Sequence, residues 1–395
     1  MSRFLFVVPP LVGHINPTVG VAAELARRGH EVAWAGRPQL VEPLVGGRAT
    51  VFPCASRQLG DAGLLRPDSL RGPTALKFLW ERFFGPLAHD MAPGVQAAVE
   101  EFRPDVLIAD QQAVAGALVA ERMGVPWATS ATTSAGFTSL EGMPKVEEWI
   151  AGLLHGLRQQ IGAPDGTADP RLSDDLVLLF STEALVGQDA SLGEQVRCVG
   201  PSISARPTGS DFPWKRLDPR RPKVLITLGT ANTEVAPRFL AECAEAVRTR
   251  ADRLQAIVVD PSGTLPEIGD SVLVRRRVPQ LPLLEKVDAV VCHAGHNTVC
   301  ETLWHGLPLV VAPIRDDQPA VAGQVTRAGA GVRVRFNRAG AAHINAALDA
   351  VLHDPDYRAA AQRVGRSFRE AGGATAAATH LEQLAARTAG ETRPR

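Results

Sequence analysis

The chain predicts an α/β protein built as two parallel-sheet domains, and three observations carry that expectation. Each half opens in the same way, with a short buried strand, a loop and a helix, at residues 3–28 and again at 223–250. Between them, residues 201–222 are rich in Pro, Ser, Gly, Arg and Asp and show no hydrophobic period, which is a linker composition. Length agrees, since 395 residues suffice for two or three domains of roughly 100–200 residues each.

Composition narrows the class. Hydrophobic residues make up 45% and charged residues 21%, enough for large buried cores and too apolar for wholesale disorder. The formal net charge of +0 argues against wrapping a polyanion, so nucleic acid is not an expected partner. Lysine occurs only at 77, 145, 215, 223 and 286, a bias toward Arg that reads as genomic. Five scattered Cys (54, 198, 243, 292 and 300) lack paired spacing and fit a reducing cytoplasm. Residues 4–8 are apolar, but Pro9-Pro10 stops them short of a signal core or membrane span. A cytoplasmic chain is expected.

Taken in order, residues 3–8 are the first strand, followed by the loop Pro9-Pro10-Leu11-Val12-Gly13-His14-Ile15. A helix should then run from a cap at Asn16 to residue 28, with Pro17 at its first position. Asn is a favoured cap, and the N–H that Pro17 lacks would be unpaired there in any case. Gly29 closes the helix and residues 31–35 are the next strand. This βαβ opening implies a parallel sheet with ligands at the carboxyl ends of its strands. His14 sits at such an end; read alone, it is a loop histidine bonded to backbone. Residues 104–110 form another buried strand ending on Asp110, ahead of a small-residue helix over 113–123. Asp110 therefore shares the carboxyl edge with His14, although a helix-capping acid fits the same place.

Residues 52–96 start irregular and turn helical, with Phe78, Trp80, Phe83 and Phe84 in one amphipathic stretch over 76–87. A second variable stretch, 132–161, holds Phe137, Met143, Trp149 and Leu153. Core packing is the expected role for two of the first four aromatics. Residues 176–181 and 196–199 read as the last strands of the first domain.

The second domain opens with strand 223–228 and the turn Gly229-Thr230-Ala231-Asn232. Small residues there let backbone approach a ligand closely, as they also serve any tight turn. A helix over 235–250, strands over 254–259 and 271–275, and Val278-Pro279-Gln280 follow. The densest stretch is 290–318. It contains Cys292-His293-Ala294-Gly295-His296-Asn297-Thr298-Val299-Cys300-Glu301, then Gly306-Leu307-Pro308, then Pro313-Ile314-Arg315-Asp316-Asp317-Gln318. Residues 288–292 are a buried strand, 293–297 a small loop, 298–305 a helix and 309–312 a further strand. Such a loop before a helix gathers backbone N–H groups and the positive end of the helix dipole at one spot, an anion site.

Competing roles exist for these residues. Thr298 and Glu301 have capping-box spacing, which would make both structural. His293 and His296 beside Cys292 lack a second ligand cluster at zinc spacing, so no metal is expected. Asp317-Gln318 fits a solvated turn before a helix at Pro319, with Asp316 exposed. Residues 333–336 read as the last strand, 341–352 and 355–370 as helices, Gly372-Gly373 as a break, 374–387 as a final helix and 388–395 as a frayed tail.

The run His293-Ala294-Gly295-His296-Asn297-Thr298 with Glu301, followed by Gly306 and Pro308 and by Pro313 with Asp317-Gln318, resembles a known donor-site signature. It is that of the inverting NDP-sugar glycosyltransferases that glycosylate lipophilic natural products, a family spanning bacterial macrolide and polyketide enzymes and glucuronosyltransferase-like proteins. The likeness covers residues 290–318 and requires strand, loop, helix and acid–Gln pair to match together. It implies the GT-B fold, two Rossmann-like parallel-sheet domains facing across a cleft. Residues 1–205 would bind the acceptor, 206–222 link, 223–373 bind a UDP- or TDP-sugar, and 374–395 cross back to pack on the first domain.

The resemblance also implies roles. His14, after Gly13, would be the general base and Asp110 would orient it. Gly229, Thr230, Val278, Gln280, His293, Gly295, Asn297, Thr298, Glu301, Asp317 and Gln318 would bind the donor, with Val278 at the base, Glu301 at the ribose, His293 and Thr298 at phosphate, and Asp317-Gln318 at the sugar. His296, at a position where relatives vary, would be a loop residue. Phe78, Phe83, Phe137 and Trp149 would line a greasy acceptor cleft. Arg277 stands where plant members place a stacking Trp, which leaves uridine and thymidine both open. No cofactor beyond the NDP-sugar co-substrate is implied, and a monomer or homodimer is expected.

Two other classes share parts of this pattern. A nucleotide-sugar epimerase on the same architecture would keep the phosphate site but needs acids around its sugar. A non-catalytic nucleotide-sugar binder would share everything except turnover. A dinucleotide oxidoreductase needs Gly-x-Gly-x-x-Gly after the first strand, which residues 9–14 lack.

Overall fold

The computed structural model describes residues 1–46, 49–54, 72–137, 144–188, 192–204, 211–229, 232 and 234–391. The chain divides into two compact units. The first comprises Met1–Ser181, Ala190–Ser204 and Ala371–Arg395, and the second Thr182–Asp189 and Ala205–Glu370.

Among the described residues, the first unit has a seven-stranded sheet: β1 (Arg3–Val7), β2 (Glu31–Gly36), β3 (Thr50–Pro53), β4 (Val106–Asp110), β5 (Trp127–Ala131), β6 (Val177–Leu179) and β7 (Val196–Cys198). Their order is β3-β2-β1-β4-β5-β6-β7, and every pairing is parallel. A sheet covered on both faces needs apolar side chains in both directions, which is why β1 reads Phe-Leu-Phe-Val without alternation. Leu5 and Val7 enter the core beneath helices Gly85–Phe102, Val114–Met123 and Pro144–Ile161. Phe4 and Phe6 enter the opposite core, roofed by helices Val12–Arg27 and Gly373–Glu391.

The C-terminal helix belongs to this first unit. It buries Ala377, Ala378, Leu381, Leu384 and Ala385, and each fully buried leucine stabilises by about 1.5–3 kcal/mol. Glu382 on the same helix accepts from Arg28 Nη1 at 2.6 Å and meets His30 Nε2 at 2.8 Å. Gly373, at φ 54°, donates its N–H to the Val199 carbonyl at 2.7 Å.

The second unit has six described strands: β8 (Lys223–Thr227), β9 (Gln255–Val259), β10 (Val272–Arg275), β11 (Ala289–Cys292), β12 (Leu309–Val311) and β13 (Gly331–Arg333). They are parallel in the order β10-β9-β8-β11-β12-β13. In both sheets the order reverses at one place, between β1 and β4 and between β8 and β11. Open parallel sheets bind ligands outside the carboxyl ends of the strands at such switch points.

Several sequence expectations need correction. The first helix starts at Val12, with Leu11 as its extended cap and Leu11 O accepting from His14 and Ile15. Asn16 is therefore inside the helix and Pro17 removes one i→i−4 donor in its second turn. The helix Pro38–Val45 and the edge strand β3 have no counterpart in the sequence reading, the strand because it is short and only half-buried. Residues 182–189 leave the first domain, where the sequence places them: Thr182 Oγ1 bonds Ser367 Oγ at 2.7 Å and Leu185 sits in the second unit's core.

The expected linker is packed from residue 211 onward. Phe212 is buried beside Leu225 and Leu284, and the Asp218 N–H reaches Gln255 Oε1 at 2.9 Å. The last strand lies at Gly331–Arg333 instead of 333–336, where Gly331 lets it approach the Leu309 carbonyl. A π-helical turn, Trp80–Phe84, interrupts the aromatic helix just before Pro86, which cannot donate to the carbonyl four residues back. No disulfide joins any of the five cysteines. Among the described residues no helix is long and apolar enough to cross a membrane.

Candidate active site

In the first unit the switch point brings His14 and Asp110 together. His14 lies in the first turn of helix Val12–Arg27, directly after β1, and Asp110 is the last residue of the adjacent β4. His14 Nδ1 is 3.0 Å from each Asp110 carboxylate oxygen. The Asp110 side chain is wholly buried, while that of His14 is 16% exposed. The carboxylate also accepts from the Gln112 N–H at 2.8 Å and the Thr132 hydroxyl at 2.7 Å. Helix Val114–Met123 takes no side-chain cap from it.

An ionised carboxylate only accepts, so Nδ1 carries the proton and Nε2 is left with its lone pair. Thr132 Oγ1 lies 2.7 Å from His14 Nδ1 as well and completes a three-residue cluster. Sequence reading passes over Thr132. The available signal is the hydroxyl run Thr132-Thr133-Ser134, immediately beyond a strand that neighbours the one ending on Asp110.

Of the four residues expected to line an acceptor site, Phe83 and Trp149 belong to the first unit's core. Phe83 packs in the first unit's core with Trp80 and Phe84, its ring 5.5 Å from that of Phe84. Trp149 is half-buried against the same core. Phe78 is half-buried and Phe137 buried, and among the described residues neither joins an apolar cluster.

In the second unit, Gly229 follows β8 and His293 follows β11, on either side of the second switch point. A Cβ at Gly229 would come within 2.9 Å of the His293 Cε1, and Gly229 has φ 71°. Gly295 also faces that ring so closely that a side chain there would strike it. Between His293 and Gly295, Ala294 takes left-handed backbone at φ 66°, a strain of about 1–3 kcal/mol. Thr230 lies outside the described residues.

His293 is buried and its Nδ1 has no hydrogen-bond partner among the described residues. Burial pushes its pKa down to about 4, opposed by the Thr227 backbone and assisted by the positive Arg315. It is a neutral imidazole at physiological pH.

Helix His296–Trp304 begins with Gly295 as its cap, without a side-chain cap bond. The first i→i−4 bond runs from the Val299 N–H to Gly295 O, so the N–H groups of His296, Asn297 and Thr298 lie ahead of it at the positive end of the dipole. This overturns the capping box, since Thr298 is the third helical residue. Glu301 Oε2 instead accepts from Gln280 Nε2 at 2.7 Å, joining two residues assigned to the donor. Val278 packs half-buried against the unit's core. His296 is a buried helical residue 3.4 Å from Cys300 Sγ, not a loop residue. Burial pushes the Cys292 thiol up to about 12, an inert interior thiol.

Asp317 is the half-buried cap residue of helix Gln318–Arg327, and Asp316 is exposed at φ 57°. Gln318 is buried, its Oε1 accepting from the N–H groups of Ile314 and Arg315 at 2.9 and 3.1 Å. The amide nitrogen is then the end available to a ligand. Sequence reading also passes over Arg315, whose guanidinium meets Glu234 Oε1 at 2.9 Å.

Comparison with known proteins agrees with this architecture. Residues 220–370 match the family model for UDP-glucoronosyl and UDP-glucosyl transferase. The chain is 30% identical to 4'-demethylrebeccamycin synthase of Lentzea aerocolonigenes, over 92% of this chain and 94% of that one. It is 27% identical to the NDP-glycosyltransferase YjiC of Bacillus subtilis (strain 168), over 96% of each. The crystal structure of the glycotransferase of kitacinnamycin superimposes with a TM-score of 0.80 at 26% identity, covering 97% of this chain and 98% of that one. The chain belongs to the UDP-glucoronosyl and UDP-glucosyl transferase family and is a glycosyltransferase.

Proposed function

We propose that the protein is an inverting glycosyltransferase that moves a hexose or deoxyhexose from a UDP- or TDP-sugar to a hydroxyl of a lipophilic natural product. The observation that carries this reading is the His14–Asp110 pair at the carboxyl edge of the first sheet. An acceptor hydroxyl is a poor nucleophile at neutral pH. His14 Nε2 takes its proton as the oxygen attacks the anomeric carbon, and Asp110 holds the tautomer and stabilises the imidazolium. The bond from that carbon to the diphosphate breaks, and its electron pair leaves with the diphosphate. The first turn of helix His296–Trp304 faces the growing negative charge. One displacement inverts the centre, so an α-linked donor gives a β-glycoside.

The acceptor class draws support from relatives whose names specify natural products, among them 4'-demethylrebeccamycin synthase and the oleandomycin glycosyltransferase of Streptomyces antibioticus. Incubation with UDP-glucose or TDP-glucose and a panel of polyketide, macrolide and flavonoid aglycones tests the proposal. The expected product gains one hexose, with a β-anomeric coupling in its NMR spectrum. An α-anomer, or no product across the panel with intact donor binding, defeats it.

A further inference from the structure

Glu234 leaves the second sheet after β8, Arg315 leaves it after β12, and β11 lies between those two strands. Their ion pair, Arg315 Nη2 to Glu234 Oε1 at 2.9 Å, therefore ties together the segments that follow the two neighbours of the strand carrying His293. The partners are unequal. The Arg315 side chain is 15% exposed and that of Glu234 49%. Arg315 is anchored from behind, because Gln318 Oε1 accepts its backbone N–H and that of Ile314. A pair with one half-exposed partner adds little to stability, yet the Arg315 charge is felt at His293, beside the proposed anion site.

We propose that Arg315 is a diphosphate-binding side chain of the donor site, held in place by Glu234 until the diphosphate takes over its guanidinium. This rests on the donor-site reading above. A nucleotide diphosphate carries more charge than the roughly half-unit of a helix N-terminus offsets, and His293, kept neutral by burial, brings none. A guanidinium presents a planar fork that meets two phosphate oxygens at once. As the bond to the sugar breaks, negative charge gathers on the diphosphate, and a cation already fixed there stabilises it without reorganising. Glu234 returns to water on exchange, which its exposure makes inexpensive.

Isothermal titration of the full-length protein with UDP, TDP, UMP and TMP separates the outcomes. Arg315→Gln is expected to weaken the diphosphate that binds wild type by about tenfold or more, with the matching monophosphate changed less than about threefold. Glu234→Gln, which removes the nearer of two carboxylates at the guanidinium (Asp316 Oδ2 lies 4.0 Å from Nε), is expected to tighten the diphosphate by about threefold or more. Diphosphate affinity unchanged in Arg315→Gln overturns the assignment, as does a Glu234→Gln variant that binds more weakly than wild type. Should Arg315→Gln fail to fold, the direction of the Glu234→Gln effect decides alone. Wild type binding neither diphosphate would instead sink the donor-site reading itself.

Discussion

His14 Nδ1 sits at equal distance, 3.0 Å, from the two carboxylate oxygens of Asp110, so one carboxylate sets both the tautomer and the ring orientation of the imidazole. His14→Ala should lower transfer by about 10²–10⁴-fold while leaving UDP or TDP binding intact. Single-turnover product formation beside titration calorimetry checks both halves of that statement. Asp110→Asn should also cut turnover, because the amide can donate to Nδ1 and place the proton on the nitrogen that must accept it.

Thr132 positions this pair and has a distinct signature. Its hydroxyl, 2.7 Å from Asp110 Oδ2, disperses the carboxylate charge. Thr132→Val leaves a more basic counter-ion, which favours the imidazolium. The acid limb of the kcat/KM profile should move to higher pH, with activity down about tenfold. Thr132→Ser should restore both. A profile that stays in place while activity falls would mean the hydroxyl matters only for packing.

Gly229 is irreplaceable for two reasons acting together, a φ of 71° and the His293 ring within 2.9 Å of any Cβ. Gly229→Ala should cost about 1–3 kcal/mol and weaken nucleotide binding by displacing the ring. Denaturant melts and calorimetry on the same preparation measure the two effects.

His293 makes stability depend on pH with a definite sign. Its pKa is about 4 in the folded chain against an ordinary value of 6.5, so the folded protein binds fewer protons between those values. This contribution is fully present above about pH 6.5 and is lost as pH falls toward 4, up to about 1.4 kcal/mol per pH unit. His293→Gln should flatten that part of the curve. Denaturant melts of both proteins from about pH 4.5 to about 7.5 bracket the window, and parallel curves would contradict the burial argument.

Much of the fold is legible because parallel strands covered on both faces must be apolar throughout. Residues 4–7, 106–109, 224–226 and 289–292 announce themselves that way. The helix starts mislead where they matter most. Asn16 and Thr298 look like caps, yet both helices begin earlier, at Val12 and His296, with no side-chain cap. Capping rules describe helices that satisfy their own first N–H groups. These two helices leave theirs without any side-chain cap. Thr132 and Arg315 escape for another reason, since each acts through a partner distant in sequence, Asp110 and Glu234, and no local pattern marks such a pair. Residues 182–189 mislead likewise, because only packing on Ser367 and the second core assigns them.

The return of the C-terminal helix to the first unit has a consequence for how the protein is made. Residues 205–370, most of the second unit, are inserted in the chain ahead of the first unit's closing helix. On the ribosome the second unit can therefore fold while the earlier-synthesised one still lacks the C-terminal helix's share of the cover over the core of Phe4, Phe6 and Trp34. The unit that leaves the ribosome earlier is thus sealed later, and a message stopped before residue 371 leaves part of its apolar face open to aggregation.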